Sequence, residues 1–190
     1  MRWVGGPWPR EQRAVTLPSA AVVREKAFEL LRYAALGGCV YVLATQFMRH
    51  SSGPKEGSHA AAFDLPLAGE SGRVSLAAQH GKPVLMEVFA SWCSVCKRSS
   101  PRLVEAWRAH HNDNVTFLAV SVDEDASAAS RAKADWNIPF DVAIDDGSVS
   151  RGYGISMLPT LIYIDEKGTV RHSAVGAASK SELEDWIAER

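Results

Sequence analysis

Short apolar runs alternate with helix-length stretches over the second part of the chain. Val84–Ala90 (VLMEVFA) is bounded by Gly81-Lys82-Pro83 and Ser91, and reads as a buried strand. Ser94 to His111 fits a helix with Val95, Leu103, Val104 and Trp107 on one face. Val115–Val122 (VTFLAVSV) is a second β-branched run, and Asp125 to Trp136 is Ala-rich and helix-competent. Phe140–Ile144 is a short strand followed by an Asp145-Asp146-Gly147 turn. Thr160–Ile164 and Thr169–Val175 are strands joined by Asp165-Glu166-Lys167-Gly168, a hairpin pattern. Ser179 and Glu182 form a capping box for a last helix. Helices between apolar strands predict an α/β fold, with a sheet covered on both faces and antiparallel strands added by the hairpin.

The first fifty residues follow another pattern. Ala27 to Met48 (AFELLRYAALGGCVYVLATQFM) is mostly apolar and carries no charge after Arg32. At about 1.5 Å per residue it is long enough for a hydrocarbon core of about 30 Å. Arg2, Arg10, Arg13, Arg24, Lys26 and Arg32 precede or open it, against Arg49 and Lys55 just after it. That bias predicts a signal anchor with its N-terminus in the cytoplasm. A cleaved leader lacks a small-x-small site, and a lipid-bearing Cys39 after Leu36-Gly37-Gly38 conflicts with the apolar run continuing past it. The expected organisation is a cytoplasmic segment over 1–26, a transmembrane anchor over 27–48, a linker over 49–59 rich in Ser, Gly and Pro, and a domain over 60–190.

Composition narrows the classes. The formal net charge is −1, with 46% apolar and 23% charged residues. That excludes a disordered tail protein, a collagen-like fibre and a basic nucleic-acid binder. Residues 1–50 hold seven Lys/Arg and three acids, and the rest hold fourteen and nineteen, so the two parts differ in sign.

Two of the three cysteines, in Trp92-Cys93-Ser94-Val95-Cys96, follow a strand and open a helix. Three residues apart in a first helical turn, they can close a small disulfide ring. The free N–H groups and dipole at that helix end favour a Cys93 thiolate, which attacks disulfides, while Cys96 one turn further in can resolve the product. Zinc would need a second ligand pair, and His110 and His111 are adjacent; haem attachment would need His where Lys97 stands. No metal or cofactor is therefore expected. A structural disulfide of this spacing would constrain little chain entropy. The Asp123-Glu124-Asp125 cluster reads as a solvated helix start.

Val84 through Lys97 resembles the active-site strand and helix of the thioredoxin superfamily, with Pro101 matching the proline of that helix and Met157-Leu158-Pro159-Thr160 similar to its cis-proline loop. Phe63-Asp64-Leu65-Pro66, Gly81-Lys82-Pro83, the extra helix and strand between Val122 and Ile155, and the closing run to Gly168 are most similar to the TlpA/ResA-like thiol–disulfide oxidoreductases. The resemblance covers about residues 60–190 and implies a thioredoxin-like mixed sheet, Cys93 and Cys96 as catalytic dithiol, and Trp92, Leu158 and Pro159 as substrate-docking surface. It also implies an extracytoplasmic, often membrane-tethered setting. Two positions depart from the subgroup: Glu87 stands six residues before Cys93, where many members carry asparagine, and Ser99 six residues after it, where they often carry glutamate. Glu87 is the expected proton relay. The lysine that thioredoxins place near such an acid falls on Ala119.

The resulting expectation is a tethered reductase of protein disulfides on the periplasmic side, recharged by a membrane thiol donor, with apocytochrome c cysteines or a metallochaperone as its task by family analogy. A disulfide donor and a non-catalytic redox-switched binding module stay open as alternatives.

Overall fold

The computed structural model describes residues 53–189, together with Tyr33, residues 35–38 and Tyr41, which are helical. The chain divides into two units, Met1–His50 and Ser51–Arg190. Apart from those six positions, the expected cytoplasmic segment and membrane anchor lie outside the described residues. Among the described residues no helix is long and apolar enough to cross a membrane.

In the second unit a hairpin of β1 (Asp64–Pro66) and β2 (Arg73–Ser75) precedes the main sheet. Then follow β3 (Val84–Phe89), α1 (Ser94–His110), β4 (Thr116–Ser121), α2 (Ala126–Asp135), β5 (Asp141–Ile144), α3 (Ser148–Gly152), β6 (Thr160–Ile164), β7 (Val170–Val175) and α4 (Lys180–Ala188). The sheet order is β5-β4-β3-β6-β7, parallel across β5, β4 and β3, and antiparallel where β6 and β7 join. Every β3 residue is buried, as expected for a central strand covered on both faces.

Alternation along β3 splits the core into two layers. Leu85 and Phe89 share one with Leu103 of α1, Ala129 of α2 and Leu183 of α4. Val84, Met86 and Val88 share the other with Leu65, Val74, Val149 and Tyr153. The second face is therefore covered by the β1–β2 hairpin and the single short helix α3. Both escape the sequence pattern, because three-residue strands and a five-residue helix are too short to show a period. Residues 165–168 form the expected turn: Asp165 Oδ1 accepts from the N–H groups of Lys167 and Thr169, and Gly168 takes φ 77°, which favours glycine. Ser179 and Glu182 make the expected capping box.

Residues 53–59, polar enough to read as a flexible linker, lie along the outer strand β7. Gly57 N–H donates to the Val170 carbonyl, Val170 N–H to the Ser58 carbonyl, and Ser173 Oγ to the Pro54 carbonyl, at 2.7, 2.9 and 3.0 Å. An edge strand has unpaired backbone groups, and this segment satisfies some of them.

Candidate active site

Strand β3 ends at Phe89, and the chain turns through Ala90, Ser91 and Trp92 into α1. Cys93 is the N-cap of α1, with extended backbone (φ −78°, ψ 103°), and its Sγ accepts from the Cys96 N–H at 3.1 Å. That position normally holds a hydroxyl or carboxylate oxygen; here a sulfur takes the hydrogen bond. Cys93 is 8% exposed and Cys96 is fully buried. The two are joined in a disulfide, with S–S 2.09 Å and Cα–Cα 5.2 Å.

The buried face of α1 is made of Cys96, Ser99, Ser100, Leu103, Val104 and Ala106. Val95, expected on that face, is instead exposed. Counting back from Leu103 by three and four residues leads to Ser100, Ser99 and Cys96, whose polar names hide the stripe.

Glu87 is in mid-strand, 3% exposed. It pairs with Ala119 of β4 and Leu161 of β6, so neither flanking position supplies a countercharge. Burial pushes its carboxyl from the ordinary value of 4.5 up to about 7, partly offset by the Ser99 hydroxyl. Ser99 Oγ is 3.4 Å from Glu87 Oε1 and 3.0 Å from the Cys96 carbonyl oxygen, so it touches both.

The Leu158–Pro159 bond is cis, in agreement with the resemblance. The Pro159 carbonyl accepts from Gly176 N–H, and the Met157 carbonyl from the Thr160 hydroxyl. A groove of about 370 Å³ runs beside the dithiol, lined among others by Trp92, Cys93, Val122, Ile155, Met157 and Leu158. Of the large exposed apolar side chains in residues 53–189, Trp92 (73% exposed), Val95, Met157 and Val175, three belong to this groove or to the first turn of α1.

Asp123, expected at a solvated helix start, is buried and holds the active-site turn. Its carboxylate accepts from Ser91 N–H at 2.8 Å, Ser91 Oγ at 2.8 Å and Ser121 Oγ at 2.6 Å. Only Asp125 of that cluster caps α2, by accepting from Ser127 N–H. The sequence signal for Asp123 was its place just past the C-terminal end of a strand next to the motif strand, a usual site for ligand-facing residues in open α/β sheets. Among the described residues no group of three or more acids, histidines or cysteines could hold a metal ion.

A mixed thioredoxin-like sheet, a dithiol at the start of the helix after its central strand, and a cis-proline loop alongside define a thiol–disulfide oxidoreductase. Residues 57–173 match the AhpC/TSA family, and the chain belongs to it. It is 29% identical over 165 residues to the thiol-disulfide oxidoreductase ResA of Geobacillus kaustophilus, covering 86% of this chain and 92% of that one. It is 31% identical over 145 residues to the thioredoxin-like protein YneN of Bacillus subtilis, covering 74% and 84%. Among solved structures, a Chlorobium tepidum chain described as a thiol:disulfide interchange protein DsbE superposes with a TM-score of 0.66 at 30% identity, covering 72% and 97%. The chain is thus an enzyme of the TlpA/ResA-like thiol–disulfide oxidoreductase kind.

Proposed function

We propose that this oxidoreductase works as a reductase of protein disulfides outside the cytoplasm, tethered by a membrane helix over residues 27–48. The observation that carries the chemistry is the Cys96 N–H directed at Cys93 Sγ at the start of α1. In the reduced protein the same N–H and the helix dipole stabilise a Cys93 thiolate. That thiolate attacks a substrate disulfide, giving a mixed disulfide and a released substrate thiolate. Cys96 then loses its proton to Glu87 and attacks Cys93 Sγ. The Cys93–Cys96 bond forms and the second substrate sulfur leaves with the electron pair. A buried carboxyl with its value near 7 suits that transfer at neutral pH.

Trp92, Leu158 and Pro159 form the docking surface for the substrate segment. The carbonyls of Met157 and Pro159 already accept bonds within the domain, so an incoming strand pairs with the backbone of Leu158. The tether rests on the apolar run and its basic N-terminal flank. A membrane thiol donor would restore the dithiol. Reduction of cysteines awaiting haem, as in cytochrome c maturation, is the task favoured by the family resemblance.

Insulin reduction coupled to a thiol donor tests the enzyme reading, and Cys93→Ser should abolish it. Retained activity in Cys93→Ser would refute the proposed nucleophile. Cys96→Ala should accumulate mixed disulfides through Cys93 in the native host, which mass spectrometry would identify. A redox potential at the oxidising end of the thiol–disulfide range would reverse the direction.

A further inference from the structure

Glu87 and Cys96 belong to different elements, and the hydroxyl of Ser99 reaches both. A hydroxyl owns one proton and can donate to one acceptor at a time, whereas a backbone carbonyl can only accept. A carboxyl group changes character: ionised it only accepts, and protonated it also donates. The shorter contact, 3.0 Å to the Cys96 carbonyl, takes the Ser99 proton. The 3.4 Å contact to Glu87 lies beyond the usual O–H···O range of about 2.5–3.0 Å, so it is the weaker of the two and has room to shorten.

We propose that Ser99 is a positioning residue for the resolving step, its hydroxyl turning from the Cys96 carbonyl to the Glu87 carboxylate when Glu87 ionises. This rests on reading Glu87 as the proton acceptor of Cys96. Before the transfer, the ionised carboxylate is held by Ser99. Once the Cys96 proton arrives, Ser99 turns back to the carbonyl. The acceptor is thereby held by the same helix turn that carries the thiol. The neighbouring strands offer Glu87 no competing group: Ala119 and Leu161, both apolar, flank it. The titratable groups in that core layer are Cys93 and Cys96 themselves and Tyr163, two residues beyond Leu161 on β6. Burial and the Ser99 hydroxyl set the ionisation of Glu87.

The test is carboxyl titration by carbon NMR on the full chain with labelled glutamate, Glu87→Gln identifying the signal, combined with the pH profile of single-turnover disulfide exchange. Removing the hydroxyl in Ser99→Ala should raise the Glu87 midpoint by about one pH unit, the scale of one lost hydrogen bond to a charged group. The rate profile should move the same way. Ser99→Thr, which keeps the hydroxyl, should restore both. A Ser99→Ala midpoint equal to wild type overturns the assignment of Ser99. A midpoint that moves while Glu87→Gln leaves the rate profile unchanged overturns Glu87 as acceptor and the resolving-step role built on it, while the hydroxyl's hold on the carboxyl stands.

Discussion

Burying Glu87 should make the oxidised protein lose stability as pH rises, and the size of the loss follows from its environment. In the folded chain the carboxyl titrates near 7, against 4.5 ordinarily. Between those values the folded state holds a proton that the unfolded chain has released. A raised value contributes stability below the unfolded value, lost as pH climbs through the folded one. At about 1.4 kcal/mol per pH unit, the loss is about 3 kcal/mol between pH ~4.5 and ~8. Glu87→Gln keeps the shape of the protonated acid and cannot ionise. Urea unfolding of wild type and variant across that range isolates the term, because every other titrating group cancels in the difference. The variant should gain about 3 kcal/mol relative to wild type on going from acid to alkaline conditions. Curves that stay parallel to within about 0.5 kcal/mol would refute a buried carboxyl of raised affinity for protons.

Trp92→Ala should leave stability within about 0.5 kcal/mol, since the indole is largely exposed. It should raise KM for protein disulfides several-fold while leaving reduction of a small aromatic disulfide unchanged, as steady-state kinetics on the two substrates would show. Asp123→Ala strips Ser91 and Ser121 of their shared acceptor and should cost about 2–4 kcal/mol in urea unfolding, with slower exchange at Cys93. Asp123→Asn, still able to accept from Ser91 N–H, should recover part of both. A C-terminal alkaline phosphatase fusion to the full chain should be active in a bacterial host; an inactive fusion beside an active cytoplasmic reporter would place the domain on the other side of the membrane.

The order of strands and long helices was legible because each long element buries an unbroken or periodic apolar stretch. Val84–Phe89 and Thr160–Ile164 are such runs. The dithiol was legible because chemistry fixes its spacing, and Glu87 drew attention through the family resemblance, by its place six residues before Cys93. What stayed hidden depends on contacts between distant residues. Asp123 looks like any acid before a helix until the fold brings Ser91 to it across the parallel β3–β4 pair. The polar stripe of Cys96, Ser99 and Ser100 is buried only because α1 lies on that face of β3. Residues 53–59 have no apolar reason to dock, and it is the unpaired edge of β7 that holds them.

The mechanism requires Cys93 to be unusually acidic because a helix begins beneath its sulfur. The direct measurement is the alkylation rate of Cys93 against pH in the reduced full chain, followed by peptide mass to separate it from Cys39. A midpoint at least about one pH unit below the ~8.5 of a free cysteine is the predicted result. A Cys93 midpoint at or above that free value would contradict it.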